Sequence, residues 1–471
     1  MIFYSTGACG ISVRMGQDEE IVSGLRRMLG EQRVLTSKVD IIPYCSDYFH
    51  RDSFSTLGSW PLCAVLPETT EEVSEIVKLA AKNRTPIVPR GGGSNQVGGV
   101  MPVDRSIVIS TSRMNKVIEI DSLNMMVTAQ PGVTLKEIDE ILDSFGLTLA
   151  QEQGSYKVAN LGGAISTNGF SLRHNRYRDI GENVIALEVV LGDGRILRTG
   201  RKVCSNSSGY PLHKIFVGAE GTLGIITEVT LSVMPKPERE LAVLATFTDW
   251  DSAQRTAWKF IDSGINYAGG FAIESMREEF GKKIPVVLVG LEGTKEEVEV
   301  QEKIVRRMLE ESGGEIQDSD LAWSYWRLQR TFWCGAVDDD TNGDDLVAAM
   351  PLQYYDEARE RMERDVYPKY GIQSNPDDFK VVLIGRRPLV AFNFVYKMNE
   401  ISYEQLKEMF GEMMAIVSEY GGVGPGCHAV GELLKDFISM EHDKTRLAVM
   451  RGLKKVFDPY DIMNPGKKFV P

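Results

Sequence analysis

Apolar residues recur at helical spacing through Glu19–Leu29 (EEIVSGLRRML), and the run Gln17-Asp18-Glu19-Glu20 loads the start with acid, so a helix is predicted from there. Residues 1–14 then read as an appendage. Thr69 and Thr70 followed by Glu71-Glu72-Val73 make a capped start for a second helix, TTEEVSEIVKLAAKN, which has to stop before Pro86. A short apolar strand, Pro86–Pro89, runs straight into Arg90-Gly91-Gly92-Gly93-Ser94-Asn95. Strand-like runs follow at Ile107–Ser110, Lys116–Asp121 and Met125–Gln130. Pro131-Gly132 then turns the chain into a predicted helix over Thr134–Phe145, with Gly146 as its exit.

A second glycine-rich block spans Gly154 to Asn168 (GSYKVANLGGAISTN). Val184–Leu191, the turn Gly192-Asp193-Gly194 and Ile196–Thr199 read as a hairpin. Phe216–Thr227 is small and glycine-rich between apolar runs, and Pro235-Lys236-Pro237 punctuates the chain like a boundary. From Glu238 to Met398 amphipathic helices alternate with apolar strands such as Pro285–Val289, the texture of a different domain. Helices are predicted at Tyr403–Tyr420 and Lys444–Phe457, before Asn464-Pro465-Gly466-Lys467. Alternating strands and helices indicate a layered α/β or α+β architecture.

At 471 residues the chain has room for about three compact units, or two domains with one interrupted. Its net charge of −13 argues against nucleic acid as a partner. No apolar run reaches the length of about 18 residues that a membrane span needs, and Met1–Arg14 lacks the pattern of a secretory signal, so a cytoplasmic protein is expected. Six cysteines without a C-x-x-C pair fit reduced thiols and supply neither an iron–sulfur nor a zinc pattern; any iron–sulfur cluster has to sit on another chain.

The 45 glycines cluster, which brings backbone close to something. Gly91, Gly92 and Gly93 lie at a strand-to-loop junction, where consecutive N–H groups can aim at phosphate oxygens without a basic side chain. The loop is not a common phosphate fingerprint: Gln96 stands where G-x-G-x-x-G needs its last glycine, and no Gly-Lys-Ser/Thr follows. The one G-x-G-x-x-A, Gly424 to Ala429, follows a helix instead of a strand, which excludes a Rossmann site.

Taken in order, PRGGGSNQVGG, Gln130-Pro131-Gly132-Val133-Thr134, VANLGGAISTN, LEVVLGDGRILRTG, FVGAEGTLGIITEVTLSVMPKP and FDPYDIMNPGKKF resemble the FAD-linked oxidases of the vanillyl-alcohol oxidase or p-cresol methylhydroxylase type. Within them the pattern is most similar to the branch of D-lactate dehydrogenase and the glycolate oxidase FAD subunit. The resemblance runs from about residue 18 to 470. It implies an α+β fold: a two-part FAD-binding domain over 53–237, an inserted α+β cap over 238–400, and a helical segment, 401–471, returning to the FAD domain, with 1–52 as an N-terminal helical extension. It also implies that Arg90, Gly91, Gly92, Gly93, Ser94 and Asn95 cradle the FAD pyrophosphate, and that Pro131, Gly132, Val133 and Thr134 line the cofactor. Gly154, Ser155, Ala159, Gly162, Gly163 and Asn168 match a second cofactor-contacting block, Gly221, Gly224, Ile225 and Ile226 a third, and Asn464 belongs to the closing one. Members that attach FAD covalently near the first loop carry His where this chain has Ser94, so non-covalent FAD is expected.

Among five histidines, His428 in Gly426-Cys427-His428-Ala429-Val430-Gly431 aligns with the family's Gly-Glu-His-Gly-Ile-Gly, whose His is the base on the substrate hydroxyl. Without that frame, a loop His paired with backbone is the plainer reading. The metal pattern breaks: Cys427 replaces the Glu, and the paired-His segment gives way to Gly385–Asn393, so no metal is expected. Arg386 or Arg387 would hold a substrate carboxylate, or be a solvated pair at a strand edge. Arg173–Arg178 is read as mostly surface, with Tyr177 near the cofactor. Trp323, Tyr325, Trp326, Phe332 and Trp333 wall a substrate pocket or form cap core. Asp338-x-Asp340-x-Asn342-Gly343 imitates a calcium loop, but Ala349 stands at its twelfth position, leaving an acidic surface loop.

The leading expectation is an FAD-dependent dehydrogenase acting on a hydroxyl-bearing carbon of a 2-hydroxy acid, in an oligomer that passes electrons to an iron–sulfur or electron-transfer flavoprotein subunit. The alternatives are an aromatic or other alcohol as substrate, or a flavin-carrying subunit whose own site has decayed.

Overall fold

The computed structural model describes residues 7–48, 60–203, 205–275, 283–331, 341–372, 380–397 and 400–468. The first helix starts at Gly7, well before the acidic run, and continues to Leu29. Asp18 therefore lies inside the helix, where it pairs with Arg105 from the neighbouring loop. Ile21, Leu25 and Leu29 bury the helix face on Val73, Ile76, Val77 and Ala80 of the helix Thr70–Asn83, which Thr69 caps. Both helices cover a four-stranded sheet in the order Val34–Leu35, Cys63–Val65, Ile107–Ser110, Ile87–Arg90, with the last three parallel.

A second, antiparallel sheet orders Val117–Asp121, Met126–Ala129, Ile225–Ser232, Val184–Val190 and Ile196–Thr199. The hairpin comes from the Gly192-Asp193-Gly194 turn, where Gly194 has φ +83°. Against this sheet packs the helix Leu135–Asp143, whose Thr134 and Glu137 form a capping box.

The cap is a seven-stranded antiparallel sheet running Glu315–Ile316, Arg239–Thr246, Val286–Gly293, Gly269–Ile273, Val381–Ile384, Leu389–Lys397, Thr341–Ala348. Its central strands Gly269–Ile273 and Val381–Ile384 are continuously apolar because both faces of the sheet are covered. Val287, Val289 and Leu291 face one core, whereas Val286 and Leu288 face the other, beside Phe170 and Leu172 from the preceding domain. The acidic run read as a loop is this edge strand from Thr341 onward; Asp338 and Asp340 lie outside the described residues.

The segment 401–471, expected to return as one unit, divides. Leu406, Met409, Phe410, Met413 and Val417 of the helix Tyr403–Glu419 join the cap core, because their apolar face matches Phe392 and Phe394. The return is made by Lys444–Phe457 and the residues after it: Phe457 enters the second core, Ile462 and Met463 the first, and Met463 bridges Ile87 in parallel. Among the described residues no helix is long and apolar enough to cross a membrane, and Cys45, Cys63 and Cys427 are not joined in disulfides.

Candidate active site

Where the first and second sheets meet the cap there is a cavity of about 400 Å³. Its floor is backbone. A Cβ on Gly92 would overlap the Val158 carbonyl, and one on Gly91 would overlap the Asn160 side chain, so the loop 91–95 lies directly on the segment 154–160. Asn160 fixes that segment by capping the helix Leu161–Thr167, accepting from the Gly163 N–H at 2.9 Å. A Cβ on Gly162 would stand 2.7 Å from Pro131, and one on Gly221 3.0 Å from Pro89.

The cavity brings together Arg90, Gly91, Gly92, Gly93, Ser94, Asn95, Pro131, Gly154, Ser155, Ala159, Gly162, Gly163, Gly221, Gly224, Ile225, Ile226 and His428. The guanidinium of Arg90 points elsewhere, donating to the carbonyls of Ser46 (2.7 Å) and Pro43 (2.9 Å). The other expected residues are not in the wall. Gly132 is closed against the Thr111 carbonyl, Val133 is core, and Thr134 is the helix cap. Asn168 takes the left-handed turn after its helix (φ +51°). Asn464 braces the site from behind, its amide donating to the carbonyls of Gly99 (3.0 Å) and Glu220 (2.7 Å).

The basic stretch 173–178 is buried at Arg173, His174 and Tyr177 instead of lying at the surface. Arg173 can be buried because Glu292 of the cap pairs with it and Glu152 stands 3.6 Å away. Tyr177 lies under the Arg173 guanidinium, 4.6 Å from its ring centre, and away from the cavity wall. Arg386 and Arg387 occupy an exposed turn between two cap strands, where Gly385 is closed on the His174 ring and Arg387 pairs with Asp179. Neither reaches the cavity wall. Tyr325 and Trp326 are cap core; Trp326 fills the space over Gly290, and Trp323 packs partly buried beside them. Phe332 and Trp333 fall outside the described residues.

His428 enters the same cavity from the loop after the helix Tyr403–Glu419. Its Nδ1 is 3.6 Å from Oδ1 of Asp345, on the cap edge strand. Burial raises the Asp345 carboxyl above its usual range and His428 opposes the shift. Phe170, Leu172, Val347 and Leu383 form an apolar surround at this end. Sequence reasoning missed Asp345; its one signal is a carboxylate pair, Asp344-Asp345, placed directly before the apolar run Leu346–Met350. It also passed over Glu220 within FVGAEGTLGIIT.

Two buried groups under the 385–388 turn titrate in opposite senses. Burial holds His174 neutral, at about 4, with Nδ1 3.0 Å from the Ser171 carbonyl. Burial likewise pushes Asp179 up to about 6, against the pull of Arg387. A depressed histidine supplies stability that is lost as pH falls from about 6.5 to 4, while a raised carboxyl returns stability over about 6 to 4. The two nearly cancel in that window. Asp179→Asn removes the offset, so relative to wild type the variant is expected to lose about 1.4 kcal/mol per pH unit between about pH 6 and 4. Denaturant unfolding across that range checks this, and parallel curves for the two proteins would contradict it.

A family model described as FAD binding domain matches residues 61–200, and one described as FAD linked oxidases, C-terminal domain, matches 236–468. The glycolate oxidase subunit GlcD of Bacillus subtilis (strain 168) is 30% identical over 446 residues, covering 89% of this chain and 91% of that protein. The chain belongs to the FAD-linked oxidases. As a member of that family it is an oxidoreductase with FAD as cofactor, and the glycine-floored cavity fits such a group. A D-lactate dehydrogenase of Archaeoglobus fulgidus is also 30% identical, over 86% of this chain and 90% of its own. In fold the chain is similar to p-cresol methylhydroxylase with substrate bound, at a TM-score of 0.79 and 19% identity, covering 96% of this chain and 97% of that one.

Proposed function

We propose that this protein is an FAD-dependent dehydrogenase that oxidises the hydroxyl-bearing carbon of a 2-hydroxy acid, with His428 as the base. The observation that carries the reading is that the one histidine among the described residues of the cavity wall shares that cavity with the glycine loops, with a carboxyl group 3.6 Å from its Nδ1. The chemistry that FAD would supply, when bound, is that of a hydride acceptor for the substrate carbon. The loops 91–95 and 154–163 would hold it through backbone, non-covalently, because Ser94 offers only a hydroxyl at the position of linkage. His428 then takes the hydroxyl proton, and Asp345 favours the imidazolium that forms. The apolar surround of Phe170, Leu172, Val347 and Leu383 keeps water from competing for that proton. The substrate class is supported by the names of the relatives, a glycolate oxidase subunit and D-lactate dehydrogenases. The first of these is named as a subunit, which supports a separate electron-transfer partner for reoxidation.

One observation favours a second reading, a neutral or aromatic alcohol. Among the described residues of the cavity wall the one guanidinium, Arg90, is committed to the carbonyls of Pro43 and Ser46. Anaerobic titration of the yellow protein separates the readings. Bleaching by D-lactate or glycolate is expected; bleaching by 4-hydroxybenzyl alcohol alone selects the second reading, and no bleaching by any of them overturns both.

A further inference from the structure

Glu220 is held in a conformation that few residues with a side chain adopt, φ +52°, and its side chain is 2% exposed. That strain coincides with an unusual set of contacts. Its carboxylate accepts from the Val430 N–H at 3.0 Å and from the Gly431 N–H at 2.7 Å, the second and third amides after His428. Lys468 faces the same carboxylate at 3.1 Å. The backbone of Glu220 is equally committed: its N–H donates to the Ser166 carbonyl at 2.8 Å, and its own carbonyl accepts from Asn464 at 2.7 Å. Its immediate neighbour is Gly221 of the cavity floor.

The loop it grips turns tightly, with strain at Ala429 and a close approach at Gly431. Ala429 sits at φ +70° and Gly431 at φ +57°, the latter so close to Val97 that a Cβ would overlap the Val97 carbonyl. Gly426 is anchored before the histidine, its N–H on the Val347 carbonyl at 2.7 Å, and Glu432 after it, its N–H on the Val97 carbonyl at 2.8 Å. Between those anchors the two amides on Glu220 set where the backbone of His428 can lie. A carboxylate suits the task because both of its oxygens accept, and two N–H groups converge on it.

We propose that Glu220 is a positioning residue: it fixes the His428 loop against the cofactor floor, so that the base and the glycine loops keep one distance. This rests on His428 being the base. Misplacing a reacting group by about 1 Å costs on the order of 100-fold in rate. Glu220→Gln leaves one accepting oxygen for two N–H donors and turns an amide NH₂ toward the other. Its flavin reduction at saturating substrate is expected to slow roughly 10- to 100-fold while FAD stays bound, using whichever of D-lactate, glycolate or 4-hydroxybenzyl alcohol bleaches the wild-type flavin fastest.

A double-mutant cycle with His428→Ala separates positioning from general damage. If Glu220 acts through His428, Glu220→Gln costs little further in the His428→Ala background. An equal fold-loss in both backgrounds, or none in the wild-type background, overturns the proposal and leaves the base reading standing. A His428→Ala protein that reduces its flavin at the wild-type rate overturns the base reading instead, and this one with it. Should Glu220→Gln fail to retain FAD, Glu220→Asp goes through the same cycle, since it keeps the charge facing Lys468 while withdrawing both oxygens from the amides.

Discussion

His428→Ala is expected to keep its FAD and to reduce it roughly 10²- to 10⁴-fold more slowly, the usual worth of general base catalysis. The glycine loops that would carry the cofactor belong to separate elements, and the imidazole fills no core position, with 23% of its side chain exposed. Binding of substrate should therefore change less than the reduction rate. Stopped-flow mixing under anaerobic conditions reads both, from the limiting rate and its half-saturation. A variant that matches the wild-type limiting rate removes His428 from the chemistry.

Gly92→Ala should act on a different part of the wall and on a different observable. The added methyl overlaps the Val158 carbonyl, a backbone atom that cannot swing aside as a side chain does. Either the 91–95 loop lifts or the 154–160 segment retreats, and each movement opens the floor. Overpacking of this kind costs about 1–3 kcal/mol, or roughly 10- to 100-fold in FAD affinity if the loop bears the displacement. Equilibrium dialysis of the apoprotein against FAD measures it. Gly452→Ala is the matched control, on an exposed helix with nothing within 4 Å of the new methyl; unchanged affinity in Gly92→Ala as well would show that the floor does not carry the cofactor.

The elements legible in the sequence are those set by neighbours along the chain. The Gly192-Asp193-Gly194 turn, the Pro131-Gly132 entry to the helix Leu135–Asp143 and the Thr69 cap each need only a few adjacent residues, and their elements lie where the pattern puts them. Long-range partners are not legible. Arg173 reads as a surface cation until Glu292, on a cap strand, accounts for its charge in the interior. Asp18 marks a helix start by local rules, yet its role is to hold Arg105. Arg386 and Arg387 look available for a substrate carboxylate, but the turn that carries them closes on His174 and Asp179. The glycine blocks converge on one cavity because tight backbone contact is written in the residue type itself. Asp345 and Glu220 act through spatial pairings with His428 and its loop, which no local spacing encodes.

The bridge between Ile87 and Met463, with Asn464 reaching Gly99 across 365 positions of sequence, has a consequence for the order of biosynthesis. A chain made from its N-terminus presents the sheet behind the loop 90–95 long before the segment that completes it exists. The cap, whose strands all lie between Arg239 and Lys397, has its partners at hand sooner. Long-range closure is slow and leaves intermediates with uncovered apolar surface. The sheet behind the cofactor cavity is therefore closed only by residues from the far end of the sequence, Met463 on Ile87 and Asn464 on Gly99.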